Sequence, residues 1–422
     1  MMRQTGEHEG RFTMSSNKRP HTDKDYSFES VPLYARKTFW SMFFIMLGFT
    51  FFSASMSVGA TMGNGLDLSE FIFSVIAGGI ILAIYTGVLG YIGCGTGLSF
   101  DLLARRSFGV AGSRLPSLLI SLTQIGWFGV GVAMFAFPAA EVLHVNPLLL
   151  IAAGGFCMTA SAYFGIRGME IVSYVSVPLI LILGTYSMVT ATHDGGGLAA
   201  VFARSAGSIT VFNAIGMVVG SFVSGGTTTP NFTRFAPNRK TAVFITVVAF
   251  LIGNSLMFAF GAVGGAFTGK DDIFYVMMAQ GLLLPALVVL GANIWTTNDN
   301  ALYSGGLSLS NITGIRKRPL VIVSGVIGTV ASVYLYNNFV SWLSFLNATL
   351  PPIGAIIIFD YFAHPQHYKA GAEAIPGVHW GAVAGVIAGA LAGNFIHAGI
   401  ASINAMLAGC ICYLVYDKAT RR

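Results

Sequence analysis

The chain has 422 residues, of which 54% are hydrophobic and only 9% charged, and its mean hydropathy is +0.72. A water-soluble domain carries about a quarter charged residues, so a soluble enzyme or binding module is excluded and the solvent must largely be lipid. The net charge of +6 is loop charge to be read by position, not a nucleic-acid signal.

The first 36 residues are polar and contain no apolar run of the kind a cleaved signal peptide requires. A disordered cytoplasmic tail is expected there. A spanning helix needs about 20 residues with few charges. Cutting the chain at every Asp, Glu, Lys and Arg leaves uncharged runs at 38–66, 71–100, 115–140, 142–166, 171–193, 205–233, 241–269, 273–298, 319–359 and 374–416. The first eight each fit one span. The last two, of 41 and 43 residues, each fit two, divided near Asn337–Asn338 and His397–Ala398. The expectation is an all-α polytopic membrane protein with about 12 transmembrane helices. With the first helix starting inside, 21 of the 23 basic residues fall on the inner side and only Arg204 and Lys270 outside. The positive-inside rule then puts both termini in the cytoplasm.

Two runs carry a small polar patch in mid-span. The first reads GFTFFSASMSVG over 48–59, and the sixth reads GSFVSGGTTTP over 220–230. Ser, Thr and Gly clustered at mid-membrane predict helices broken there, with freed backbone lining a cavity. Ser53 and Ser224 are 171 residues apart, and the polar centres of helices three and eight, Gln124 and Asn293, are 169 apart. Two landmarks repeating at one interval predict two five-helix halves in opposite orientation, with matched broken helices one and six. The alternative is that such patches are ordinary helix-packing surfaces. The expected organisation is a tail at 1–36, a first repeat at 37–193, a second, inverted repeat at 194–361, and helices 11 and 12 with a short tail at 362–422. Helix eleven carries Gly377, Gly381, Gly385, Gly389 and Gly393 at every fourth position, a small face for close contact within the molecule or between protomers.

No metalloprotease, P-loop or nucleophile-elbow motif is present, and no catalytic residue is assigned. The Gly-rich 93–97 segment follows a membrane helix and not a strand. Cys94, Cys157, Cys410 and Cys412 lie in apolar runs and read as buried thiols. Asp299 is the one acid that falls deep in a span, near its inner end, and the scarcity of intramembrane acids argues against a proton relay.

A site of neutral groups is expected instead. Gln124 and Trp127 share a helix face. An amide offers both a donor and an acceptor to the edge of a nucleobase, and Trp127 offers a flat face. Phe222 supplies a second aromatic face, with Ser53, Ser221 and Ser224 and the bare backbone of the breaks completing the hydrogen bonds. Phe52 and Gly225 lie in the same breaks and belong to this substrate set. The competing reading makes Trp127 and Phe222 plain core aromatics. A second constellation suits a small hard cation: Asn293, Thr296 and Thr297 stand at i, i+3 and i+4, and a break in helix one frees the carbonyls of Gly48 and Phe51. Five neutral oxygens suit sodium; the competing reading is Thr back-bonding within the helix.

The segments FFSASM (51–56), TQIGWFGVGVAMFA (123–136), GNSLMF (253–258), NIWTTNDNALY (293–303) and YNNFV (336–340) closely resemble the nucleobase:cation symporter family, from about residue 31 to the C-terminus. The resemblance implies a LeuT-type five-plus-five inverted repeat, with discontinuous helices 1 and 6 and two extra C-terminal helices, in a bacterial inner membrane. It implies a base held between Trp127 and Phe222, polar partners at Gln124, Ser221 and Ser224, and sodium ligands at Gly48, Phe51, Asn293, Thr296 and Thr297. The function it implies is sodium-coupled import of cytosine by alternating access, with sodium as coupling ion and no other cofactor. Neither a nucleic acid nor an obligate protein partner is implied. The alternatives are the same fold moving uracil, a purine, hydantoin or allantoin, possibly proton-coupled, and, from another class, a channel or a nutrient sensor. The sixth-helix exit at 226–232 departs from the family pattern and leaves the choice of base open.

Overall fold

A computed structural model describes residues 25–205, 207–369 and 377–420. Among them the regular structure is all helical: α1 (Phe39–Thr50), α2 (Ser53–Gly65), α3 (Leu68–Thr96), α4 (Phe100–Phe108), α5 (Arg114–Leu143), α6 (Pro147–Ala162), α7 (Ile166–Asp194), α8 (Leu198–Phe202), α9 (Val211–Thr227) and α10 (Pro230–Thr233). There follow α11 (Arg239–Val247), α12 (Asn254–Thr268), α13 (Ile273–Ala279), α14 (Leu283–Thr313), α15 (Lys317–Asn337), α16 (Phe339–Thr349), α17 (Pro351–Ala363), α18 (Trp380–Phe395) and α19 (Ala401–Thr420). A π-helical segment, Val248–Gly253, joins α11 to α12 without interrupting the rod.

Seven of the described spans are long and apolar enough to cross a bilayer, and the bent pair α1–α2 makes an eighth. The shorter apolar helices α6 and α18 fall below that length. The 31-residue α14 is long enough, but its middle reads NIWTTNDN, and it is buried along most of its course. A helix polar in its centre is tolerated in lipid only when protein surrounds it. Here α14 packs against α5, α7 and α15. Large apolar side chains such as Ile84, Phe156, Ile182 and Val330 point outward, as they must where lipid is the solvent.

The break in the first run is present. Phe51 and Phe52 are extended, with φ/ψ of −77°/90° and −130°/129°, and the two half-helices bend by 46°. α2 then lies on α12 at backbone contact. A Cβ on Gly59 would come 2.3 Å from the Phe258 carbonyl oxygen, one on Gly63 2.2 Å from that of Ala262, and one on Gly261 1.7 Å from that of Met56. Glycine is therefore the residue that lets these two helices touch.

The sixth run differs from expectation. α9 runs unbroken through Ser221, Ser224 and Gly225, and the interruption comes later, at Thr228–Thr229. The reason is local: Ser221 Oγ donates to the Val218 carbonyl, Thr227 Oγ1 to that of Val223 and Thr228 Oγ1 to that of Gly225. A hydroxyl so bonded is satisfied without a break in the helix, at the cost of a slight bend. Pro230, which has no N–H to give, then opens α10.

Two further expectations are corrected. Residues 1–24 of the tail lie outside the described residues, but 25–36 are packed and not disordered: Asp25, Ser27 and Val31 are buried. The fully buried Arg234 donates to the Asp25 and Tyr26 carbonyls, and Lys317 Nζ pairs with Asp25 at 2.9 Å. Cys157, expected inside, is exposed on α6. The glycine face of α18 is used within the molecule. Gly381 lies against Tyr416, Gly385 against the Gly409 carbonyl, Gly389 against Pro352 and Gly393 against the Ala348 carbonyl.

Candidate substrate and ion site

The break at Phe51–Phe52 meets α5, α9 and α14 at the centre of the bundle. There a small cavity is lined by Phe49, Phe52, Gln124, Trp127, Ser221, Phe222, Ser224, Gly225, Thr297 and Ala301. Seven of the eight residues expected to hold the substrate thus converge. Ser53, the eighth, faces away from the cavity toward Asn293. Larger grooves, such as that beside Ile84 and Val247, lie on the outer surface and are almost wholly apolar.

The cavity walls are aromatic and nearly perpendicular to one another. Phe52 stands edge-on to Trp127, with centroids 5.6 Å apart, and to Phe222 at 6.4 Å. Trp127 and Phe222 therefore do not stack directly; Phe52 separates them. Phe222 is fixed from behind by Phe49 at 5.3 Å and Phe250 at 5.6 Å. Gly225 makes room for Phe49, since a Cβ there would lie 2.7 Å from its ring. The free volume open to a water-sized sphere is about 20 Å³, enough for one water and far too little for a base. A ring fits there only if the walls move.

The polar groups divide by what they already hold. Trp127 Nε1 donates to Ser224 Oγ at 2.9 Å. Ser221 Oγ spends its proton on its own helix at 2.8 Å. Gln124 is buried, and its Nε2 has no hydrogen-bond partner. A buried donor left unpaired costs roughly 1–3 kcal/mol, so this amide is poised to gain by meeting an acceptor.

Beside the cavity lie the residues expected to bind an ion. The Asn293 amide bridges the break: its Nδ2 donates to the Phe51 carbonyl, and its Oδ1 accepts from Ser53 Oγ at 2.8 Å. Thr296 Oγ1 is 2.7 Å from Ser176 Oγ and 3.0 Å from the Ala292 carbonyl, and Thr297 Oγ1 is 3.5 Å from that of Asn293. Gly48 abuts this group, since a Cβ on it would lie 2.4 Å from Ser173 Oγ and 2.8 Å from Thr296 Cγ2. All five oxygen-bearing positions thus adjoin the break. Ser173 and Ser176 of α7 were missed by sequence reasoning. Their spacing of three in an apolar helix, with both hydroxyls buried, is the signal that marks them.

Within the long helices two acids are buried, Asp299 on α14 and Asp360 on α17, one more than expected; Asp25 and Asp101 are buried outside the spans. Asp299 lies in the middle of α14, not near its end, and accepts from Ser161 Oγ at 2.6 Å, on the side away from the cavity. The linear cut at charged residues put it at the end of its span, because an acid inside a helix reads as a run boundary.

A bundle of apolar helices around a bent pair, with a small neutral cavity at the bend, defines a multi-pass membrane transporter. The family of permeases for cytosine/purines, uracil, thiamine and allantoin matches residues 30–416, and the chain belongs to it. It is 50% identical over 402 residues to the cytosine permease of Escherichia coli (strain K12), covering 95% of this chain and 96% of that one. The hydantoin permease of Microbacterium maritypicum is 24% identical over 84% of this chain and 80% of its own length. Among solved structures, Mhp1, a nucleobase-cation-symport-1 family transporter in a closed conformation with bromovinylhydantoin bound, superposes with a TM-score of 0.77 at 20% identity, covering 92% and 94% of the two chains. A Na⁺-coupled sialic acid symporter superposes at 0.69 with 15% identity and 90% coverage of each. These relatives are transporters, and the protein is a permease, not an enzyme.

Proposed function

We propose that the protein imports cytosine by sodium-coupled symport with alternating access. The observation that carries this reading is the unpartnered Nε2 of Gln124 in an aromatic cavity. Cytosine offers acceptors at its carbonyl O2 and its ring N3 to that donor, and its flat face suits Trp127 or Phe222. Base–aromatic stacking contributes roughly 1–3 kcal/mol. Half of all positions are shared with a cytosine permease, which favours cytosine over the hydantoin of the more distant relative.

Sodium would sit where the Asn293 amide now closes the break, among the carbonyls of Gly48 and Phe51, the Asn293 oxygen and the hydroxyls of Thr296 and Thr297. An amide side chain can turn its oxygen to a cation and its nitrogen away. Filling that site steadies the bend and with it Phe52, coupling ion to substrate. Twelve spans, repeats at 37–193 and 194–361, and cytoplasmic termini in the bacterial inner membrane complete the reading. The packing of α5 on α14, through Gly131 at Asn298 and Gly305 at Gln124, is what pseudo-symmetric partners of two such repeats would make.

A second reading keeps the cavity and changes the ion. Asp299 is fully buried, and its Oδ2 has no partner, which favours a proton as the coupling ion. One experiment separates the two: thermal stabilisation of the purified protein by cytosine, uracil and hydantoin, with sodium or choline, across pH. Only ligands that bind the folded form stabilise it. Sodium-dependent stabilisation by cytosine supports the first reading. Indifference to sodium, with stabilisation that tracks pH and is lost in Asp299→Asn, supports the second.

A further inference from the structure

We propose that the end of α17 and the turn after it form a binding site for a divalent transition-metal ion of the zinc type, separate from the sodium and substrate positions. Asp360, His364 and His367 follow one another at i, i+4 and i+7, on one face of the helix and its continuing turn. One ligand atom from each lies within 4.8 Å of the others. Asp360 is 1% exposed and His364 4%.

Two independent features point to an ion and not to a mere polar cluster. First, His367 Nδ1 is buried and has no hydrogen-bond partner. A ring nitrogen in that state is satisfied by a proton donor or by a metal, and neighbouring His and Asp side chains are metal ligands. Second, the two imidazoles are already placed for a shared ion. Their centroids are 5.2 Å apart, and two rings bound at about 2.0–2.1 Å to one tetrahedral metal have centres about 5 Å apart.

The surroundings are built like those of a metal centre. Asp360 Oδ1 accepts from Tyr413 at 2.6 Å and lies 2.9 Å from His364 Nδ1, and its Oδ2 accepts from Tyr368. Hydroxyls thus fix the carboxylate from two sides, as outer partners commonly do for metal ligands. The other nitrogen of His364 faces Asp417 of α19 at 3.6 Å, too long for a good hydrogen bond and close to the spacing of two ligands on one ion. Two imidazoles with carboxylates select zinc or its neighbours over calcium or magnesium, which prefer all-oxygen sets. Occupancy would tie α17 to α19 across the glycine face of α18.

The test uses the full-length protein carrying no polyhistidine tag, stripped with a chelator and titrated with zinc ion. Bound zinc is counted by elemental analysis after gel filtration, and cobalt ion serves as a spectroscopic probe. The proposal expects about one ion per chain, a raised unfolding temperature, and visible cobalt bands of a tetrahedral site. His364→Ala and His367→Gln should each weaken binding at least about tenfold, while the exposed His193→Ala leaves it unchanged. His367 is only half-buried, so His367→Gln should fold even if His364→Ala does not. Equal zinc retention by wild type and His367→Gln, or no saturable binding by wild type, overturns the proposal.

Discussion

The indole Nε1–H of Trp127 on α5 donates to Ser224 Oγ on α9 at 2.9 Å, inside the central cavity. This bond joins the two helices that supply the aromatic walls and fixes the plane of the ring. It also uses the indole's only donor, leaving Trp127 a stacking surface. Trp127→Ala should lower cytosine affinity roughly 5- to 150-fold, the equivalent of about 1–3 kcal/mol, with the protein still reaching the membrane. Ser224→Ala loosens the ring without removing it, and should cost about fivefold. Labelled uptake normalised to membrane protein checks both.

Gln124 makes the opposite kind of prediction. Its amide has an unpartnered donor in the absence of substrate, so Gln124→Leu removes a buried unsatisfied group. The variant should be at least as stable to heat as wild type, yet bind cytosine poorly. Thermal unfolding of the purified variant, with and without cytosine, checks the two halves together.

The ion site predicts a change in sodium response more than in substrate response. Thr296→Ala removes a hydroxyl 2.7 Å from Ser176, next to the break. The half-saturating sodium concentration should rise by at least about tenfold, or 1.4 kcal/mol, while cytosine affinity at saturating sodium changes little. Gly48→Ala, whose Cβ would meet Ser173 and Thr296, should abolish the sodium response. Uptake against a sodium titration reads both.

Asp101, on the short α4 outside the spans, gives a pH dependence. Burial pushes its carboxyl up to about 6, against the pull of the Ser117 and Ser308 hydroxyls and of Arg234 and Arg105. Between the unfolded value of 3.8 and about 6, the folded protein holds the proton more tightly than the unfolded chain does. The associated stability is present in full below 3.8 and is lost as pH rises through about 6. Its size is roughly 3 kcal/mol at most. Asp101→Asn should therefore unfold at a higher temperature than wild type at pH 7.5, with the gap closing toward pH 4.

The contact of α2 with α12 gives a stability prediction. Gly261→Ala puts a methyl 1.7 Å from the Met56 carbonyl oxygen, a backbone atom. Overpacking of this kind costs about 1–3 kcal/mol or more. The detergent-solubilised variant should unfold at a clearly lower temperature and express at a lower level.

Much of the site was legible because its chemistry breaks local rules. Gln124 beside Trp127 in an apolar helix, and the NIWTTN run in α14, are expensive in lipid unless they serve something. Phe51–Phe52 breaks its helix where Ser and Gly surround it, as expected. The same composition in α9 does not break the helix, because its hydroxyls return to carbonyls three and four residues back, and composition does not reveal which way a hydroxyl turns. Ser173 and Ser176 show only a spacing of three in the sequence: their place beside the break depends on facing α1 and α14, which is a tertiary fact. Segment 25–36 looked like tail because its anchors, Arg234 and Lys317, lie more than 190 residues away in sequence.

The most direct measurement is labelled cytosine uptake into proteoliposomes under an inward sodium gradient, comparing wild type with Trp127→Ala at equal protein. The account predicts saturable, concentrative uptake by wild type that collapses when choline replaces sodium and that falls in Trp127→Ala at cytosine concentrations below the wild-type half-saturation. Undiminished uptake by Trp127→Ala, or uptake by wild type indifferent to sodium, would contradict it.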